Sequence, residues 1–255
     1  MKQYLLKTCI CTCCLLMMCM MIVACVINSD SPSEELEIED TEQTTQDQTN
    51  ESNKTEDIEM NELEKVLYDK VKSEILSWDE DEIYAISFFV YSNEAFEYKN
   101  YENVSMWAIS YNTEDDCNGA GALDEERWNY AFWRQDEIPI IDIDNPNEYT
   151  EMLYNWYSAN GITNIGEENE DNDYDEDYNY IGKGPVGHYE LVCIASKVAR
   201  NLQADNVIKE HFGKPIPIIV HGLEYAWFDI EATKNANPNG EADVFLRAMK
   251  DMGFF

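Results

Sequence analysis

The chain has 255 residues, with 52 Asp and Glu against 17 Lys and Arg, so its formal charge is -35 at pH 7. A surface of that sign repels phosphate, which excludes nucleic acid and anionic lipid headgroups as partners of the folded part and leaves a basic protein or peptide. With 44% hydrophobic and 12% aromatic residues, the chain has enough apolar area for a sizeable core, so disorder throughout is excluded.

Residues 1–27 hold no carboxylate, and Lys2 and Lys7 precede an apolar run, 8–27, in which Thr8 and Thr12 are the polar interruptions. This is the pattern of a secretion signal. The run ends in Ile22-Val23-Ala24-Cys25, which resembles the lipobox of bacterial lipoprotein precursors. The resemblance implies that residues 1–24 are removed as a signal peptide and that the Cys25 thiolate accepts a diacylglyceryl group. At ~0.8 kcal/mol per buried CH₂, the acyl chains hold the protein on the membrane while the acidic body stays clear of it. The alternative is an uncleaved signal anchor, because 20 helical residues just span ~30 Å of hydrocarbon. Either way Lys2 and Lys7 keep the N-terminus in the cytoplasm and the body on the extracytoplasmic face of the cell membrane. Cys9, Cys11, Cys13, Cys14 and Cys19 fall in the segment to be removed and are not read as a metal cluster.

Residues 25–59 form the second segment, a lipidated cysteine followed by a linker. From Asn28 onward it is rich in Ser, Thr, Glu and Asp, without an aromatic residue and almost without aliphatic ones. Such a composition cannot bury enough surface to fold. It predicts a self-repelling tether of roughly 30 Å or more.

The domain occupies 60–255. Leu63, Val66, Leu67, Val71, Ile75 and Trp78 fall on one helical face, and Asn61 followed by Glu64 resembles a capping box. Residues 83–91 and 104–111 are rich in aromatic and β-branched side chains and predict neighbouring strands. Asn145-Pro146-Asn147-Glu148 predicts a helix start capped by Asn145, with Tyr149, Met152, Leu153, Trp156 and Tyr157 as its stripe and Asn160-Gly161 as its end. Residues 191–202 predict a central helix and 216–220 a buried strand. Two closing helices follow, the last over about 241–252 with Ala242, Phe245, Leu246 and Met249 inward and Gly253 as stop. Strands followed by runs of helices predict an α+β fold, a single domain with a small, mostly antiparallel sheet packed by several helices.

Several motifs suggest chemistry, and each has a plainer reading. Residues 182–187 match G-x-G-x-x-G, but an acidic, tyrosine-rich stretch precedes them where a dinucleotide site needs a hydrophobic strand; no cofactor is expected. Asp171, Asp173, Asp175 and Asp177 have the alternate spacing of a Ca²⁺ loop, yet Glu176 stands where a glycine is needed and Gly182 where a bidentate Glu is needed. They remain weak metal candidates. His221 ends a predicted strand beside Gly222 and Glu224, where it could act as a base or ligand, with Glu224 or Asp229 as carboxylate partner. Motifs for a serine nucleophile elbow or a phosphate loop are absent from the sequence. Export would permit a disulfide between Cys117 and Cys193; alternatively Cys193 is a small buried hydrophobe. Trp128 and Trp133, beside Arg127, could form an aromatic binding platform, although their spacing does not place them on one helical face.

Tyr84-Ala85-Ile86-Ser87-Phe88, Asn112-Thr113-Glu114-Asp115, Arg127-Trp128 with Trp133, Phe212-Gly213 and Ala236-Asn237-Pro238 together resemble landmarks of an uncharacterised bacterial family, domain of unknown function 4303. The resemblance would cover about 60–253; Phe132 stands where an acidic residue is expected. It implies a compact α+β module of intracellular type, here attached to an export signal, and brings no established catalytic residues; some such small modules sit near toxin and immunity genes. The expectation is a lipid-anchored binding or immunity-type module for a basic partner. The alternatives are an extracytoplasmic hydrolase using His221 with Glu224 or Asp229, and a structural envelope lipoprotein.

Overall fold

The computed structural model describes residues 60–168 and 173–254, so the signal, Cys25 and the linker lie outside the described residues. Helix α1 (Glu62–Ile75) begins at the expected capping box: the Asn61 side chain accepts the Glu64 N–H at 3.0 Å, and the Glu64 carboxylate accepts the Asn61 N–H at 2.9 Å. Strand β1 (Ile83–Ser92) leads through the short hairpin β2 (Glu97–Tyr98) and β3 (Tyr101–Glu102) to β4 (Ser105–Thr113). A loop carrying the one-turn helix α2 (Glu125–Trp128) and a 3₁₀ turn (Tyr130–Phe132) reaches β5 (Ile138–Ile141). Then come α3 (Glu148–Ala159), α4 (His188–Ala204), α5 (Val207–Phe212), β6 (Ile218–His221), α6 (Trp227–Ala236) and α7 (Asp243–Asp251).

The four-stranded sheet has the order β5-β4-β1-β6. Strand β1 pairs antiparallel with β4 and parallel with β6, and β4 pairs antiparallel with β5, which makes the fold α+β with a mostly antiparallel sheet. Side-chain alternation sends Ile86, Phe88 and Val90 of β1 into the main core, with Leu67 and Val71 of α1, Leu153 of α3 and Leu191 and Val198 of α4. Ala85 and Ile219 fall in a second cluster with Trp128, Trp133, Phe245 and Met249. Both faces of β1 are therefore covered.

Several boundaries differ from expectation: Trp78 lies beyond the end of α1, α4 spans His188–Ala204 instead of 191–202, and β6 spans Ile218–His221 instead of 216–220. Helix α3 is capped by Asn147 instead of Asn145, because the Asn147 side chain accepts the Thr150 N–H at 3.0 Å and also donates to the Ile140 carbonyl at 3.1 Å. The Asn145 N–H turns back to the Asp142 carboxylate. The last helix is shorter than 241–252, and Gly253 follows it in the left-handed conformation at φ 84°.

Strand β6 is an outer strand, and its free side is closed by side chains of the helix that follows. The Asn237 amide accepts the Ile218 N–H at 2.9 Å and donates to the Ile218 carbonyl at 2.7 Å. Thr233, one turn earlier, accepts the Val220 N–H at 3.0 Å and donates to the Val220 carbonyl at 3.1 Å. Gln203 of α4 joins the network through the Ile216 carbonyl and the Asn237 oxygen. Asn237 thus imitates a neighbouring strand and blocks edge pairing. Asn237→Ala strands buried N–H and C=O groups and is expected to lower the unfolding free energy by about 3 kcal/mol, read from urea midpoints at unchanged slope.

Candidate functional site

His221 ends β6 as expected, but it is fully buried. Its ring stacks on Phe89 at 5.2 Å, meets Trp133 edge-on at 5.0 Å, and has Tyr130 and Tyr225 at 5.3 and 6.1 Å. Nδ1 lies 2.8 Å from the Gly222 carbonyl, so Nδ1 carries the proton and donates it. Nε2 then accepts from the Ser87 hydroxyl at 2.7 Å. Burial pushes the His221 pKa down to about 4, against the opposing pull of the Gly222 carbonyl. The ring is neutral at physiological pH.

A serine hydroxyl bonded to a histidine is the first contact of a nucleophile and its base. Here Ser87 is 1% exposed and His221 0%, and aromatic rings surround the imidazole, so a substrate has no route to the pair. The bond satisfies two polar groups inside a covered sheet. Glu224 is exposed on the following loop, whereas Asp229 is buried at the third position of α6, its Oδ2 accepting the Ala226 N–H at 2.9 Å. Burial raises the Asp229 pKa to about 7, with the Ala226 and Gly222 N–H groups pulling the other way. Oδ1 of Asp229 has no partner among the described residues. The expected constellation of His221, Glu224 and Asp229 is not assembled in one accessible site.

The glycine loop at 182–187 is held by protein groups. The Tyr157 hydroxyl donates to the Gly187 carbonyl, the Gly184 N–H donates to the Tyr180 hydroxyl, and the Trp227 indole donates to the Gly182 carbonyl. Gly187 has φ 94° and forms the N-cap of α4, which explains its glycine. His188 follows, almost buried, with Nδ1 at 2.9 Å from the Ser105 hydroxyl and its pKa lowered to about 4 by desolvation.

The aromatic platform is corrected by the structure. Trp128 and Trp133 are both buried, because their indole N–H groups find the Ala122 and Arg127 carbonyls at 2.8 and 3.0 Å. Arg127 is a structural clamp: it pairs with both oxygens of Glu114 at 2.6 and 2.8 Å, lies 4.0 Å from the Tyr84 ring centroid and donates to the Cys117 sulfur at 3.3 Å. Cys117 and Cys193 are free thiols, so the possible disulfide is not formed. Asp171 lies outside the described residues. Asp175 accepts the N–H groups of Asp177 and Asn179, Asp173 packs under Gly182, and no group of three or more metal-ligating side chains is poised for a metal among the described residues.

Beside the Arg127 clamp lies an open concavity of about 380 Å³, which sequence reasoning missed. Asp116, Cys117, Asn118, Asp124, Glu126 and Phe132 line it. Asp116 is fixed by the Thr113 N–H and hydroxyl, and Asp124 by the Gly121 N–H at 2.7 Å, while Glu126 is exposed and Phe132 is 51% exposed. The only advance signal was the polar, glycine-flanked stretch around Cys117. The arrangement offers carboxylates and one aromatic face, a setting for a cationic side chain. No family model, no curated protein and no solved structure matches the chain. The resemblance to domain of unknown function 4303 therefore rests on the quoted residues alone.

The buried titratable groups set a pH dependence. His188 and His221 have folded pKa values below their ordinary 6.5, so the stability they contribute is present above pH 6.5 and is lost as pH falls through about 4. Asp229 works in the opposite sense: its folded pKa is above 3.8, so its contribution is lost as pH rises through about 7. Two histidines outweigh one carboxylate, so urea midpoints are expected to rise from about pH 4 to 6.5. Asp229→Asn is expected to steepen that rise; an unchanged slope would show that Asp229 is ionised throughout.

Proposed function

We propose that the protein is an extracytoplasmic lipoprotein, anchored to the cell membrane through Cys25, whose domain at 60–255 binds a basic protein or peptide as an interaction module of immunity type. The observation that carries the binding role is the carboxylate-walled concavity with the exposed ring of Phe132, on a chain of charge -35. Carboxylates draw a cation in over long range, and an aromatic face rewards one that has shed water. The burial of His221 and Asp229 weighs against hydrolysis by that pair, and the exposed Glu126 and Phe132 at an open concavity favour a surface that meets a partner over a purely structural envelope role.

Titration calorimetry with octalysine is expected to show binding that weakens as salt rises. Glu126→Gln combined with Phe132→Ala, both at exposed positions, is expected to weaken it about tenfold. Unchanged affinity would remove the concavity from the reading. Location is tested separately by intact mass spectrometry of the membrane fraction. A mature species beginning at acylated Cys25 is expected, lost in Cys25→Ser; an unmodified full-length species would favour the uncleaved anchor.

A further inference from the structure

Three cations of this domain share one setting, a tyrosine face on one side and a carboxylate on another. Arg127 lies over Tyr84 and pairs with Glu114. Lys99 lies 5.4 Å from the Tyr98 centroid and 5.9 Å from that of Tyr154, and pairs with Glu151 at 2.6 Å. Arg134 lies 4.6 Å from the Tyr111 centroid with Asp136 at 3.3 Å. Ring and carboxylate attract the same charge, so the combination is a cation seat built from common parts.

Residues 173–182 carry the same two kinds of group on one exposed hairpin: Asp175 is taken up by the Asp177 and Asn179 N–H groups and the Asn179 amide, while Glu176 and Asp177 are exposed between the two tyrosines. Tyr178 is 86% exposed and Tyr174 60%, interleaved with Asp175, Glu176 and Asp177. Among the described residues, no lysine or arginine lies over either ring or pairs with those three carboxylates. Packing does not explain the exposure, since the neighbouring Tyr180 turns inward to meet the Gly184 N–H.

The surface is already shaped. The Asp173 carbonyl accepts the Ile181 and Gly182 N–H groups, the Asp175 N–H donates to the Asn179 carbonyl at 3.0 Å, and Tyr174 meets Tyr180 edge-on at 5.5 Å. The Trp227 indole ties Gly182 to α6. Tyrosine side chains have few torsions to fix, and on a hairpin whose backbone is already hydrogen-bonded they bind at low conformational cost, as tyrosine-rich recognition loops do.

We propose that this hairpin is a docking surface for an arginine-bearing segment of a basic protein partner. The proposal deepens the binding reading but uses a surface separate from the concavity residues. Arginine is favoured over lysine because its planar guanidinium stacks on a ring while its edge pairs with a carboxylate.

The test compares octaarginine with octalysine, equal in charge, on the full-length protein in detergent. Octaarginine is expected to bind several-fold tighter, and Tyr174→Ala with Tyr178→Ala to weaken octaarginine about tenfold and abolish the preference. Both rings are exposed, so circular dichroism is expected to show an unchanged fold. Equal binding of the two peptides, or a preference that survives removal of both tyrosines, overturns the hairpin while the binding reading stands. Binding of neither peptide overturns both.

Discussion

Strand β1 is covered on both faces, and every polar group it carries must therefore find its partner inside the protein. Its hydroxyl at Ser87 cannot reach water. The register of the parallel pair sets Ser87 beside Ile219 and Phe89 beside His221, so the imidazole at the end of β6 reaches back to the serine. The second ring nitrogen uses the next carbonyl along the chain, and Phe89, Tyr130 and Trp133 enclose the remainder. The desolvation that makes this pair necessary also removes its basicity. What has the outline of a catalytic dyad is a means of burying a sheet, and the same demand recurs where Ser110 of β4 donates to Asp136 and where Asn237 and Thr233 close the side of β6.

Signals that are local in the chain were legible in the sequence. The Asn61 and Glu64 pair and the stripe from Leu63 to Ile75 gave α1 directly, and the apolar runs gave β1 and β4, because capping and alternation are decided within a few residues. Strand β5 was not legible: it has four residues, one of them Pro139. Helix α3 offered two asparagines as caps, and the choice fell to Asn147 through a bond to Ile140, a contact that chain order alone does not reveal. The strand-end position of His221 was readable, but its burial depends on aromatic rings far upstream. The concavity escaped for a related reason, since it forms only when the loop around Cys117 closes against Phe132.

Electrostatics imposes a second order on the domain. Carboxylates are about three times as numerous as cations, and some of the cations act as internal ties. Lys197 of α4 reaches the almost fully buried Glu64 at the start of α1, and Arg127 holds the loop after β4 against Tyr84 of β1. A bidentate arginine beside a ring fixes a loop more firmly than an exposed ion pair, whose worth is roughly 0–1 kcal/mol. The loop so fixed is the one that shapes the concavity.

If the domain is a binding module, as proposed, recognition falls to its loops, because the Ser87 and His221 pair is closed off in the interior. Negative charge alone would attract many cations without choosing among them. Discrimination needs groups whose geometry distinguishes one cation from another, and in this domain those are aromatic faces set beside carboxylates. Phe132 at the concavity and Tyr174 and Tyr178 on the hairpin are large rings left exposed in such company. On the proposed binding reading, these exposed rings are where a cation would find both an aromatic face and a carboxylate.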